Sequence, residues 1–157
     1  MMRNEMVQFM RANPLATVAT ISADGSPEAA VVGVAVSDRL ELVFDTLDTS
    51  RKFGNLQLEP RIAVVFGAAG AYRAGKHDER SVQYQGLADV PSGEELKRVR
   101  EGIYFKQFPD GRARMTWPQI AYVRVRPTWI RYSDYNVSPA RIVEVRAGEL
   151  AKVIAEI

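Results

Sequence analysis

The sequence predicts a mainly β fold of the α+β class, a six-stranded antiparallel β-barrel with flanking helices. Three observations lead to this prediction. Most apolar segments are short, rich in β-branched residues and alternating in polarity. Turn residues separate several consecutive segments by only a few positions, which favours antiparallel neighbours. Helical spacing of apolar residues is confined to short stretches at the N-terminus and between strands.

The first half of the chain predicts one helix followed by four strands and a second short helix. Apolar residues at helical spacing predict the first helix over residues 3–12, which Pro14 ends. In order, the predicted strands cover residues 15–21, 28–36, 40–45 and 61–66. Asp24-Gly25 supplies the hairpin turn between the first two strands. Asp48-Thr49-Ser50 supplies three candidate N-caps for the short helix, which stops before Pro60.

The second half predicts two longer strands. After a loop over residues 67–80, residues 81–90 alternate in polarity, and Gly86 among them indicates a bulge or a barrel corner. The last strand covers residues 119–132. Because Pro127 cannot donate to a ladder, it should lie at an edge or a bend of that strand.

One more helix is expected between these two strands. Ser92 and Glu95 have the spacing of a capping box, and the apolar residues after them recur on one helical face. This pattern predicts a helix that ends near residues 108–111.

Size and composition limit the class of protein. A chain of 157 residues is the size of one domain, and we expect a single domain over residues 1–157. Its 46% hydrophobic and 25% charged residues are ordinary for a globular protein. A net charge of +2 is too small to indicate nucleic-acid binding. There is no apolar run of about twenty residues and no signal-peptide core, so we expect a cytoplasmic protein without a membrane partner.

The residue types that usually carry metal and nucleophilic chemistry are scarce. The sequence has no cysteine, which excludes disulfides, thiolate metal sites and cysteine nucleophiles. Its one histidine, His77, lies in a charged segment and is expected at the solvated surface. A Ser-His-Asp triad would depend on that residue, so we set hydrolase chemistry aside and predict no metal site.

The start of the second predicted helix carries the candidate chemistry. Arg51 and Lys52 stand in its first turn, where bases oppose the helix dipole. A phosphate bound there would accept hydrogen bonds from free backbone N–H groups and from the Thr49 and Ser50 hydroxyls, and the two bases would neutralise its charge. The same pair is also typical of a solvated basic surface, so these residues alone leave both possibilities open.

Motifs around this helix stand in a specific order. A strand ends in Phe44-x-Thr46, Ser50-Arg51-Lys52 opens the helix, and Pro60-Arg61 precedes an apolar strand. In this order and spacing they resemble the FMN-binding split barrels of the pyridoxamine 5'-phosphate oxidase-like superfamily. The resemblance covers residues 13–66 well and the later motifs more loosely. It implies a split, Greek-key barrel that binds FMN at the interface of a homodimer.

The resemblance also assigns roles to the residues near the helix start. Ser50, Arg51 and Lys52 would form the phosphate clamp. Asp45 and Thr46 would contact the flavin near its ring.

Other candidates lie on strands. Ala30, Val31 and Val32 would lie along the isoalloxazine and offer backbone groups to its polar edge. The candidates for contacts from the second subunit are Gln83, Trp129 and Arg131. For Trp129, packing in the core or at an interface is a commoner role than a flavin contact.

Two departures from the oxidase itself limit the functional prediction. In that enzyme the second strand carries an arginine and, five residues later, a lysine, and the corresponding positions here are Ala30 and Ala35. The late Arg-x-His motif has only Arg131-Tyr132-Ser133 as its nearest match. We therefore expect an FMN-dependent oxidoreductase of unknown substrate that is not a true pyridoxamine 5'-phosphate oxidase.

Three alternatives stay open. The same fold could bind a deazaflavin or haem, although a single histidine disfavours haem ligation. The chain could also be a non-catalytic dimeric stress or interaction module.

Overall fold

The computed structural model describes residues 2–68, 73–75 and 77–155 of the chain. These residues form one antiparallel sheet of eight strands that curls into a half-barrel, with five α-helices around it. The predicted mainly β, antiparallel architecture is confirmed, and it is consistent with a split barrel. The described part of the sheet has two strands more than the six expected.

The helices and strands follow the chain in this order. The α-helices are α1 (Met2–Ala12), α2 (Arg51–Leu58), α3 (Gly93–Val99), α4 (Phe105–Gln107) and α5 (Ala147–Ala155). The strands are β1 (Leu15–Ile21), β2 (Pro27–Gly33), β3 (Ala35–Val36), β4 (Leu42–Leu47), β5 (Arg61–Gly67), β6 (Arg80–Asp89), β7 (Ile120–Asp134) and β8 (Arg141–Arg146). A π-helical turn (Arg100–Tyr104) joins α3 to α4, and 3₁₀ turns (Pro109–Thr116) follow α4.

The predicted second strand is divided in two, which accounts for one of the extra strands. At the break, the Val34 N–H still donates to the Pro14 carbonyl at 2.8 Å, one position beyond the Leu15–Gly33 pair of the β1–β2 ladder. β2 then pairs with β1, whereas β3 pairs with β4. Within the described residues, β2 and β4 are not hydrogen-bonded to each other. A split therefore opens between these two strands.

The bend predicted near the last strand is also observed. The β6–β7 register shifts between Gln85 and Gly86, and Gly86 lies opposite Pro127. A Cβ on Gly86 would collide with the Arg126 carbonyl oxygen, which explains the glycine. β7 pairs with β4 up to Val125 and with β8 from Trp129 onward, so Pro127 lies where the second neighbour changes.

Two sequence predictions in the second half need correction. Ser92 precedes α3, but its side chain makes no capping hydrogen bond, so the predicted capping box is wrong. Glu95 instead accepts hydrogen bonds from Arg98 at 3.3 Å and from Arg124 at 2.6 Å. The last element that the sequence predicts ends at residue 132, but β7 continues to Asp134 and is followed by β8 and α5.

The apolar side chains form two clusters on opposite faces of the sheet. The larger fills the barrel, where the buried Tyr84 hydroxyl donates to the Leu40 carbonyl at 2.7 Å. The smaller lies where α3, α4 and the π-helical turn cover β4 and β7, and it includes Tyr104 and Tyr122. No helix in the described part of the chain is long and apolar enough to cross a membrane.

Candidate functional site

A hydrogen-bonded cluster ties the end of β4 to the start of α2. Ser50 caps the helix, because its Oγ accepts a hydrogen bond from the Phe53 N–H at 3.3 Å. The Ser50 and Thr46 hydroxyls are 2.9 Å apart, and Lys52 Nζ donates to Thr46 Oγ1 at 3.2 Å. The first N–H groups of a helix have no intrahelical partner, so backbone donors point in the same direction. The arrangement is suited to an anion.

This cluster adjoins a pocket that is lined by β1, β2 and the start of α2. The pocket has a volume of about 350 Å³, which falls within the range of small-molecule sites. A buried hydrogen bond from Asn55 Nδ2 to Thr20 Oγ1, at 3.0 Å, holds α2 against β1 beside it. The lining residues are Val18, Thr20, Glu28, Ala29, Ala30, Arg51 and Lys52. Two of the three predicted clamp residues, Arg51 and Lys52, therefore face one cavity.

Arg51 has a partner in that cavity that the sequence analysis missed. Its Nε lies 2.9 Å from Glu28 Oε2, across the split. No local pattern links the two residues, because Glu28 belongs to β2 and Arg51 to α2. A carboxylate therefore stands within the proposed phosphate site.

Asp45 occupies the opposite face of β4 from Thr46, as adjacent strand residues must. Its carboxylate accepts a hydrogen bond from Arg114 Nε at 2.6 Å, and Arg114 Nη2 donates to the Tyr104 hydroxyl at 2.9 Å. The bond to Asp45 raises the pKa of Arg114, and burial raises the pKa of Tyr104. The Asp45 side chain thus belongs to a cluster with the covering helical segment. It does not join the Thr46–Ser50–Lys52 cluster.

The three β2 candidates face in alternating directions. Ala30 and Val32 point to the inner face of the sheet, where Ala30 lines the pocket. Val31 points to the outer face and is 69% exposed. The backbone edge of β2 that faces away from β1 borders the split, so its free N–H and C=O groups are available to a ligand.

Gln83, Trp129 and Arg131 lie elsewhere, on the outer face of β6 and β7. Gln83 pairs with Arg131 in register, and Arg131 Nη1 lies 3.5 Å from Glu144 Oε1. Thr46 on β4 lies opposite Ala121 of β7, and Trp129 and Arg131 follow eight and ten residues later, or about 26 Å and about 33 Å along an extended strand. Within one protomer these side chains therefore do not meet the helix start. A contribution to the same site would come from a second copy.

His77 is more enclosed than the sequence predicts. His77 is half-buried, with Nδ1 2.8 Å from the Arg73 carbonyl and Nε2 2.7 Å from Glu79 Oε1. The hydrogen bond to Arg73, followed by the one to Glu79, raises the pKa of His77. The expected solvated histidine is therefore engaged by its neighbours. The described residues contain no group of three or more acidic or histidine side chains placed to hold a metal.

The fold is a curled antiparallel half-barrel with a split and, near it, a capped helix that begins with two basic residues. The family is shown by sequence: the chain belongs to the pyridoxamine 5'-phosphate oxidase family, whose model matches residues 2–134. Comparison with curated proteins finds no match.

Solved structures share this fold at low sequence identity. A haem-binding protein from Mycobacterium smegmatis has a TM-score of 0.77 at 20% identity, over 96% of this chain and 60% of that one. The haem storage protein HutZ from Vibrio cholerae has a TM-score of 0.68 at 13% identity, over 79% and 88%. An FMN-binding, pyridoxamine 5'-phosphate oxidase-related protein from Nostoc punctiforme has a TM-score of 0.64 at 13% identity, over 89% of this chain and 87% of that one. The fold therefore occurs in both flavin- and haem-binding proteins.

Proposed function

We propose that this protein binds FMN, with the phosphate of the cofactor at the start of α2. The observation that carries the proposal is the Thr46–Ser50–Lys52 cluster beside the pocket between β2 and α2. The donor set fits a phosphate, because it combines hydroxyls, free helix N–H groups and two cations. Glu28 is the one carboxylate among the residues that line the pocket.

The flavin ring would then lie along β2. Ala30 and Val32 would offer it small apolar side chains, and the free backbone edge of β2 would meet its polar atoms. Thr46 would stand at the other side of the split. Because Arg114 holds the Asp45 carboxylate, Asp45 would contribute through its backbone.

A second copy of the chain would complete the site. The outer face of β1, β2 and β5 exposes apolar side chains, including Leu15, Val31 and Val65. Beside them a depression of about 370 Å³ is lined mainly by small and apolar residues of β1, β5 and β6. Such a face favours a two-fold dimer. In that dimer Gln83, Trp129 and Arg131 of one copy would approach the flavin of the other.

Bound flavin would supply hydride or electron transfer, so the chemistry would be that of the cofactor. The residues of this chain bind the phosphate, orient the ring and exclude water. The substrate of such an oxidoreductase is not defined by these residues. Ala30 and Ala35 provide no charge for a substrate phosphate, which argues against oxidation of pyridoxamine 5'-phosphate. A cytoplasmic location stays a prediction of the sequence.

The optical spectrum of the freshly purified protein, with mass spectrometry of the released ligand, tests this proposal. Flavin absorption bands and the mass of FMN are expected. The mass of a deazaflavin would instead identify a deazaflavin as the ligand, and a Soret band would identify haem. Protein without ligand that takes up none of the three would support a non-catalytic module.

A further inference from the structure

Glu28 is an unexpected residue for a phosphate site. It is the second residue of β2, opposite Thr20 on β1, and its side chain points to the inner face of the sheet. There it lines the same pocket as Arg51 and Lys52. A carboxylate at this position repels a bound phosphate and reduces the net charge of the three side chains from +2 to +1.

The two partners of the Glu28–Arg51 ion pair differ in exposure. The Glu28 side chain is 21% exposed, whereas that of Arg51 is 83% exposed. Glu28 is therefore the more enclosed member of the pair, and most of the Arg51 side chain is open to solvent. The Arg51 guanidinium pairs either with Glu28 or with an incoming phosphate, because both need the same donors.

We propose that Glu28 is a specificity-determining residue that competes with the ligand phosphate for Arg51. It weakens the binding of phosphorylated ligands and makes FMN an exchangeable ligand of this site. This inference rests on the proposed function, since it assumes that the phosphate binds at the start of α2. It means that Glu28, in addition to the clamp residues, sets the affinity for phosphorylated ligands.

The test compares FMN and riboflavin binding in Glu28→Gln and in the parent protein. Glutamine keeps the size of the side chain and removes its charge. We expect FMN to bind about tenfold more tightly, which corresponds to about 1.4 kcal/mol. Riboflavin, which lacks the phosphate, should bind unchanged. Glu28→Asp keeps the charge but shortens the reach to Arg51, so a smaller gain is expected.

Glu59→Gln is the matched control. Glu59 follows the far end of α2, about 12 Å from its start, and also pairs with an arginine, Arg61. The Glu59→Gln substitution removes the same charge from the protein and should leave FMN affinity unchanged. Thermal unfolding of each variant verifies that the fold is intact.

Unchanged or weaker FMN binding in Glu28→Gln would overturn the inference, because Glu28 would then hold Arg51 in place for the ligand. An equal gain for riboflavin would also overturn it, since the effect would not involve the phosphate. In both cases the parent protein still binds FMN, so the proposed function stands. If neither the parent nor any variant binds FMN, the proposed function fails and this inference fails with it.

Discussion

Lys52 offers the sharpest test of the phosphate clamp, because its replacement removes one charge and little else. Lys52 Nζ donates to Thr46 Oγ1 at 3.2 Å, so the ammonium is already oriented toward the proposed phosphate position. A hydrogen bond to a charged group contributes about 1.5 to 3 kcal/mol. Lys52→Met should therefore weaken FMN binding by about tenfold to about 150-fold. The fold should persist, since Thr46 keeps its bond to Ser50.

Fluorescence titration of the variant with FMN and with riboflavin measures this effect. Only FMN should lose affinity, because riboflavin has no phosphate. Lys97→Met is the control: Lys97 is an exposed residue of α3, and its loss changes the net charge equally. A loss of riboflavin affinity as large as that of FMN would refute the assignment of Lys52 to the phosphate.

Three further outcomes follow from the structure. Val65→Arg places a charge on the outer sheet face. Light scattering should then show a monomer, and titration should show weaker FMN binding. Val137→Arg, which alters a loop residue of similar exposure, should stay dimeric. Tyr84→Phe leaves a buried carbonyl unpaired and should cost about 1 to 3 kcal/mol of unfolding free energy, measured by denaturant titration. FMN-loaded protein should form no pyridoxal 5'-phosphate from pyridoxamine 5'-phosphate in an aerobic assay, because Ala30 and Ala35 carry no charge. Turnover of about one per second would contradict this last expectation.

Local chemistry made much of the fold predictable from the sequence. Ser50 caps a helix and Gly86 lies at a bulge because each depends on a few neighbouring residues. β8 was missed because Val145 is its one buried residue, so the strand has no clear alternation of polarity. The capping box failed for a different reason. Glu95 is engaged by Arg124 of β7, a partner that no local pattern specifies.

In the candidate site too, residues close in sequence could be predicted, whereas contacts between distant segments could not. Thr46, Ser50 and Lys52 lie within seven residues, so their spacing could be interpreted from the sequence. The ion pairs that the neighbouring residues form could not be predicted from the sequence. Asp45 and Arg114 are 69 positions apart, and Glu28 meets Arg51 only because β2 and α2 flank the same split. Sequence motifs thus indicate the residues of the proposed phosphate clamp, and only the folded chain shows that Glu28 pairs with one of them.

Equilibrium dialysis of the apoprotein against FMN tests the central claim most directly. The cluster at the start of α2 predicts saturable binding of one FMN per chain, and inorganic phosphate should compete for the same donors. Riboflavin should bind more weakly than FMN, because it cannot use the clamp. Absence of FMN uptake up to the millimolar range would contradict the account.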